Sequence, residues 1–366
     1  MTQSKLCRFV AISLLAGLGL PAAALAAPTI EQMAGQMIVV GFQGKSMAET
    51  AALREEIAKG EVGGVMYLKT NVTDLKTVRA MNASFLAANP ELPPFITLDQ
   101  EGGRVERLTR EVGFPETPSA AEVAEKMDEL GAAELYRKLA KAIAAEGFNV
   151  NFGPVADVNV NPNNPIIARY GRAYSDDPFK VFQYDAAFIN AHSEQGVLTA
   201  LKHYPGHGSS TGDSHEGFVD ISKTWDESEL APYKLLLKYG APVDMVMVGH
   251  LYVGDRGDGA QVPSSLSHYW ITQVLREKIG FDGVVITDDM EMGAVREHYE
   301  FEDRIVRAVK AGVDILLFSN TARPRTSIAD DIRAVLVKHA QADPAFAARI
   351  EESYGRIVRL KQKLKR

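Results

Sequence analysis

Two segments of the 366-residue sequence concentrate side chains able to make bonds and move protons. They are Gly283 to Met292 (GVVITDDMEM) and Lys202 to Gly217 (KHYPGHGSSTGDSHEG). In the first, Asp288 ends the apolar run GVVIT, so a strand would fix its backbone while the carboxylate projects past the strand end. A carboxylate held in this way suits covalent nucleophilic attack, for example on a sugar carbon. Aspartate also caps helices at such positions, and the adjacent Asp289 allows both roles at once. In the second segment, Pro205, Gly206, Gly208, Gly212 and Gly217 are too many breakers for a helix and place Asp213 and His215 in a mobile loop. Two residues before His215, the Asp213 carboxylate can bind one imidazole nitrogen, fix the tautomer and leave the other nitrogen to shuttle a proton. An Asp-x-His pair taken alone is equally at home in a solvated loop.

Lys202 and His203 directly follow the apolar stretch Leu198 to Leu201, where a buried strand would give way to solvent. A lysine there is costly to bury without a partner and is expected to donate to a ligand or an acidic neighbour. Arg107 and Arg172 offer planar multi-donor groups for neighbouring hydroxyls or a carboxylate, or salt bridges between loops. The histidines raise a rival, since His203, His207, His215 and His250 with Asp288 resemble a metal donor set. His-x3-His shares one face only on a helix, which Pro205 and Gly206 oppose. The expectation is therefore no metal and no cofactor.

The elements that must position these residues alternate. Short apolar runs at Met37 to Phe42, Gly64 to Leu68, Phe95 to Leu98, Phe148 to Phe152, Thr199 to His203, Met245 to Gly249, Val284 to Thr287 and Ile315 to Phe318 read as eight strands. Helical spacing lies between them at Leu75 to Ala88, Ala132 to Ala145, Phe179 to Gln195, His268 to Lys278 and Phe301 to Ala311. Strand-helix alternation implies parallel strands with right-handed crossovers. Eight units in a chain of this length favour a single-domain α/β fold, the (β/α)8 TIM barrel, over a doubly wound sheet. No Gly-x-Gly-x-x-Gly turn follows the first strand, as a nucleotide-binding sheet would want. Barrels of this kind build sites from the loops after their strands, which lets the strand-end residues be read together. These are Asp99, Gln100, Glu101, Arg104 and Arg107 after the third strand, and Asp157, Asn159 and Arg172 after the fourth. Lys202, His203, His207, Asp213 and His215 follow the fifth, His250 the sixth, Asp288 and Asp289 the seventh, and Asn320 the eighth.

Residues 1–26 place Lys5 and Arg8 before an apolar run from Phe9 to Leu20, followed by Ala24-Leu25-Ala26. That pattern predicts a secretory signal peptide cut after Ala26, leaving 27–366 as one catalytic domain in a periplasmic or secreted protein. The apolar run is short of the roughly 20 residues that span a bilayer. The single cysteine, Cys7, leaves with the signal. A net charge of −7 without a basic tract argues against nucleic acid or stable membrane association. The expected state is a monomer.

Five ordered motifs resemble glycoside hydrolase family 3, and within it the single-domain bacterial β-N-acetylglucosaminidases. They are Leu98 to Val105 (LDQEGGRV) with Arg107, Arg172 within GRAYSDDP, Lys202 to Gly208 (KHYPGHG), Asp213-Ser214-His215, and Thr287 to Met290 (TDDM). The resemblance implies a (β/α)8 barrel and a retaining two-step mechanism acting on terminal β-linked N-acetylglucosamine, from peptidoglycan fragments or chito-oligosaccharides. It implies Asp288 as nucleophile and His215, paired with Asp213, as acid/base in place of the second carboxylic acid of most retaining enzymes. It also implies that Asp99, Arg107, Arg172, Lys202 and His203 hold the sugar hydroxyls and orient the N-acetyl group. Many family members carry a further C-terminal sandwich domain that supplies the acid/base, whereas this sequence closes on a basic helical tail, Ile350 to Arg366. Competing readings are a β-glucosidase, a phosphorylase in which phosphate replaces water, a metal-dependent barrel hydrolase, and a catalytically silent glycan-binding barrel.

Overall fold

The computed structural model describes residues 27–259 and 261–365. The proposed signal peptide, residues 1–26, lies outside them. Among the described residues ten strands occur in chain order: β1 Ile38–Gly41, β2 Gly64–Met66, β3 Phe95–Leu98, β4 Val150–Asn151, β5 Leu198–Tyr204, β6 Val219–Asp220, β7 Met245–Val248, β8 Leu251–Tyr252, β9 Val284–Thr287 and β10 Leu316–Phe318. Eight form one parallel sheet in the order β10-β1-β2-β3-β4-β5-β7-β9. Its two ends meet through the parallel bridge Ile286 to Ile315, and the Thr287 N–H donates to the Ile315 carbonyl at 3.0 Å, which brings the sheet round into the expected (β/α)8 barrel. The remaining pair, β6 and β8, join as a separate parallel ribbon.

Every residue of β1, β3, β7 and β9 is buried, as parallel strands with both faces covered require. The helices between them begin where the sequence supplies caps. Asp74 accepts from the Thr77 N–H at 2.8 Å to start Leu75–Ala88, and Asp177 precedes Pro178 at the start of Pro178–Glu194. The segment after β8 is wound as a π-helix over Tyr269–Lys278. β4 is shorter than the predicted Phe148 to Phe152. The Asn149 side chain takes the Ile96 N–H at 2.7 Å and the Gly153 N–H turns back to the Asn151 carbonyl at 2.9 Å, although the backbone beyond the two strand residues still bonds its neighbours, Phe152 N–H to the Leu98 carbonyl and Leu198 N–H to the Asn149 carbonyl, at 2.9 Å each. β5, read from the sequence as Thr199 to His203, runs one residue further at each end, from Leu198 to Tyr204.

The C-terminal segment, expected as a basic helical tail, is helical and packs against the barrel. Its helix Pro344–Gln362 sends Arg349 and Arg356 to the fully buried Asp314, at 2.7 and 3.4 Å, where Arg276 also arrives at 2.5 Å. Lys361 is buried, donating to the Gln36 side chain and the Gly63 carbonyl at 2.7 Å each, and burial pushes its pKa down to about 7. Asp314 precedes β10 and so sits at the barrel end opposite the strand-end loops, where stability rather than chemistry is served. Asp314→Asn strands buried guanidinium groups without their counter-charge, and the expected loss is about 3–5 kcal/mol. Urea unfolding checks this through a lower midpoint at unchanged slope; an unchanged midpoint refutes it.

Candidate active site

A chain of alternating charges links β3, β4 and β5 at the barrel mouth. Arg107 donates to Asp99 Oδ2 at 2.7 Å, and Lys202 Nζ bridges Asp99 Oδ1 at 2.7 Å and Glu101 Oε1 at 2.6 Å. Arg172 grips Glu101 through two bonds of 2.8 Å, its Nη2 reaches His203 Nε2 at 3.3 Å, and His203 Nδ1 meets Asp157 Oδ2 at 2.7 Å. Contact with a carboxylate on one side and a guanidinium on the other makes Nδ1 the N–H of His203 and Nε2 its acceptor. Burial alone would raise the pKa of Asp99, but Lys202 and Arg107 outweigh it and hold the carboxyl below its ordinary range. Burial likewise opposes ionisation of Glu101, and Arg172 and Lys202 overcome it, holding the carboxyl well below normal. Three carboxylates thus balance three permanent cations, which makes their burial tolerable.

The β3 loop is shaped for this. Buried Gln100 accepts from the Arg107 and Leu108 N–H groups at 2.9 and 3.0 Å and donates to the Leu108 carbonyl at 2.9 Å, folding Arg107 back over Asp99. Gly102 has φ 104, and a Cβ there would come within 2.3 Å of the Pro118 carbonyl, so the tight return requires glycine.

Asp288 stands at the end of β9, its N–H bonded to the Val248 carbonyl at 2.9 Å. Its Oδ1 accepts from the Asp289 N–H at 2.8 Å, while Oδ2 has no hydrogen bond among the described residues. Burial would raise its pKa, yet the neighbouring His203, His250 and His215 lower it to about 2. The helix cap expected of one of the two adjacent aspartates is not found. Asp289 caps no helix; it accepts from the Ser319 and Glu291 N–H groups at 2.9 and 3.0 Å and ties the end of β9 to the end of β10. His250 donates from Nε2 to the Asp289 carbonyl at 2.9 Å and takes the Ser265 hydroxyl on Nδ1 at 2.7 Å, steadying the same turn.

Asp213 and His215 form the expected pair. Asp213 Oδ1 accepts both the His215 N–H at 2.9 Å and Nδ1 at 2.7 Å, which leaves Nε2 outward. The loop leading to them is pinned along its first half. His207 is held by Ser210 and Ser214 at 2.8 and 3.1 Å, Asn164 donates to the His207 carbonyl at 2.7 Å, and Glu229 accepts the Gly208 N–H at 2.9 Å. His215 itself keeps 60% of its side chain exposed. Its carbonyl accepts the Gly293 N–H at 3.3 Å, and a Cβ on Gly293 would meet that carbonyl at 3.0 Å, so a glycine lets the loop dock.

A cavity of about 430 Å³ receives Asp99, Arg107, Arg172, Lys202, His203, His215 and Asp288, a size usual for a small-molecule site. Seven of the eight residues singled out from the sequence thus converge, with Asp213 standing behind His215. Met66, Leu68, Met247 and Met292 add apolar wall, and Tyr170 lies under Arg104 at 4.9 Å. Sequence reasoning did not give roles to Glu101 and Asp157, although both stood among the strand-end residues, and it missed Asn164 and Glu229 entirely. Asn320 turns away from the cavity to hold the backbone of Arg325. The nitrogens of His203, His207 and His250 each face protein partners, and among the described residues no group of three His, Cys, Asp or Glu side chains is arranged to hold a metal ion.

The family profile described as "Glycosyl hydrolase family 3 N terminal domain" matches residues 29–360. Beta-hexosaminidase A of Pseudoalteromonas piscicida is 30% identical over 370 residues, an alignment covering 92% of this chain and 61% of that protein. An uncharacterized secreted glycosyl hydrolase of Arthroderma benhamiae is 31% identical over 377 residues, covering 98% of this chain and 99% of its own length. Among solved structures, a glycoside hydrolase family 3 beta-N-acetylglucosaminidase from Paenibacillus sp. superposes with a TM-score of 0.82 at 31% identity, over 92% of this chain and 63% of that one. The chain thus spans less than two thirds of the Pseudoalteromonas and Paenibacillus proteins and nearly the whole of the fungal one. A profile match that runs from the first described helix to the last, on the same barrel and through all five motifs, upholds the resemblance: the chain belongs to glycosyl hydrolase family 3.

Proposed function

We propose that this chain is a retaining exo-β-N-acetylglucosaminidase that removes terminal, non-reducing β-linked N-acetylglucosamine from peptidoglycan fragments or chito-oligosaccharides. The observation that carries the reading is one cavity lined both by Asp288, with an unbonded Oδ2 on a fixed strand end, and by His215, whose Asp213-bound ring turns its second nitrogen outward. In the first step Asp288 attacks the anomeric carbon as the glycosidic bond breaks, and protonated His215 gives its Nε2 proton to the departing oxygen. In the second, neutral His215 takes a proton from water as that water attacks the same carbon and releases Asp288. Asp99, Arg107, Arg172, Lys202 and His203 bind the sugar hydroxyls and the N-acetyl group. The relatives named beta-hexosaminidase and beta-N-acetylglucosaminidase support the substrate class.

Residues 1–26 act in this reading as a cleaved signal, and 27–366 as the catalytic domain, working as a monomer in the periplasm or outside the cell. The secreted fungal relative supports export, and no helix among the described residues is long and apolar enough to cross a membrane. Turnover of aryl β-glycosides tests the activity. The N-acetylglucosaminide is expected to be hydrolysed, at a rate indifferent to phosphate, and the glucoside far more slowly. A preference for the glucoside, or a requirement for phosphate, refutes the proposal.

A further inference from the structure

We propose that a second cavity beside the catalytic one binds a carboxylate carried on the leaving-group side of the glycan, an assignment that rests on the glycosidase reading above. This cavity, of about 900 Å³, opens where the loops following β9 and β10 meet, with Arg296, Arg304, Arg323 and Arg325 set around Phe301 and Glu291. Most of its charges are engaged. Glu291 accepts the Thr321 N–H at 3.0 Å, Arg296 meets Glu297 at 3.3 Å, and Arg325 pairs with Asp331 at 2.7 Å.

Arg304 is different. It is 6% exposed, and its Nε is enclosed without a partner. Among the described residues its guanidinium makes neither a hydrogen bond nor an ion pair, only ring contacts with Phe301 and Phe318 at 5.5 and 5.7 Å. A second guanidinium, that of Arg325, lies over Phe301 at 5.2 Å. Arginine cannot shed its proton; the Glu291 and Asp289 carboxylates offset the burial of Arg304 only at a distance, without bonding it, so its donors stay unmet. An anion entering from solvent can take those donors, and the planar fork of arginine matches the paired oxygens of a carboxylate as it does those of a phosphate. The rim is also preformed. Asn320, at φ 55, clamps the Arg325 backbone with both ends of its amide, at 2.8 and 2.9 Å.

Consecutive residues form the wall between the two cavities. Met292 and Thr321 line the catalytic cavity, while their chain neighbours Glu291 and Ala322 line the arginine cavity, and such neighbours are about 3.8 Å apart. In an exo-acting enzyme the network of Asp99, Lys202 and Arg172 encloses the terminal sugar, so only the leaving portion reaches beyond that wall.

The test uses two disaccharides with the same terminal β-linked N-acetylglucosamine, the leaving sugar being neutral in one and bearing a lactyl ether carboxylate in the other. In the wild type the kcat/KM ratio of acidic to neutral substrate is expected to exceed one and to fall with added NaCl. It should drop about tenfold in Arg304→Leu and severalfold in the exposed variant Arg323→Gln, through KM rather than kcat. A ratio unchanged in both variants, or equal losses on both substrates, overturns the proposal. So does calorimetric binding of inorganic phosphate that depends on Arg304 while the ratio does not, since the cavity would then serve a free anion. Hydrolysis of neither disaccharide would sink the glycosidase reading instead. The carboxylated leaving sugar alone would still be expected to bind the wild type and not Arg304→Leu, and failure of that binding overturns the anion site independently.

Discussion

Asp288→Asn is expected to lower kcat by a factor on the order of 10^4 or more while leaving sugar binding largely intact, because covalent catalysis loses its only attacking atom. Asparagine is nearly isosteric, and its carbonyl oxygen can still accept the Asp289 N–H that Oδ1 accepts at 2.8 Å, so the turn after β9 is kept. What disappears is the negative charge. Burial would raise the pKa of Asp288, but His203, His250 and His215 hold it at about 2, and the proposed nucleophile is therefore ionised across any practical assay range. The acid limb of a pH–rate profile above pH 4 then belongs to another group. The same shift fixes the sign of a stability effect. A carboxylate lowered from 3.8 to about 2 contributes stability that is present above pH 3.8 and lost as the pH falls through 2. The stability difference between wild type and Asp288→Asn should accordingly shrink as the pH falls below 4. A slow fluorinated N-acetylglucosaminide checks the covalent step directly. Peptide mass spectrometry should find the sugar on Asp288; a label on any other residue, or turnover surviving in the variant, removes the assignment.

The parts of this site that were legible in the sequence are those encoded locally. A run such as GVVIT followed by two aspartates is a buried strand with polar residues at its end, and β9 spans Val284–Thr287 as read. The Asp213–His215 bond spans two residues, and spacing alone makes it possible. Pairings across the barrel were not legible, because hydrophobic periodicity says which face of an element is buried and nothing about which loop meets it. Glu101 and Arg172 are 71 residues apart and join in a bidentate pair. Asp157 was visible as a strand-end acid, but its three bonds, to the His203 ring and to the His203 and His207 N–H groups, depend on how β4 and β5 align. Glu229 sits in a short helical turn between β6 and β7 with no local mark of its role under the β5 loop. Lys361 shows the same limit at the other end of the barrel, where a residue that looks like part of a solvated basic helix is buried against Gln36 and Gly63.

His215→Ala separates the two steps of the reaction. General acid–base catalysis is worth about 10^2- to 10^4-fold, and that loss should appear in full for a sugar leaving group, whose oxygen departs poorly without a proton. A dinitrophenyl glycoside needs no such help, so its first step should be nearly as fast as in the wild type. Its second step still needs water to be deprotonated, and the glycosyl-enzyme on Asp288 should accumulate, visible as a burst of phenolate followed by slow release. Azide attacks as an anion and needs no base. It should restore turnover in His215→Ala and yield the β-configured glycosyl azide, with Asp288 displaced from the anomeric carbon. Asp213→Asn keeps the loop but replaces the carboxylate that takes Nδ1 at 2.7 Å, and a smaller loss of the same pattern follows from a ring whose tautomer is no longer fixed. A structural role gives another signature. If His215 only seats its loop against Gly293, both leaving groups lose rate alike and azide rescues neither. The leaving-group dependence thus decides between a proton donor and a loop anchor, whatever the size of the overall loss.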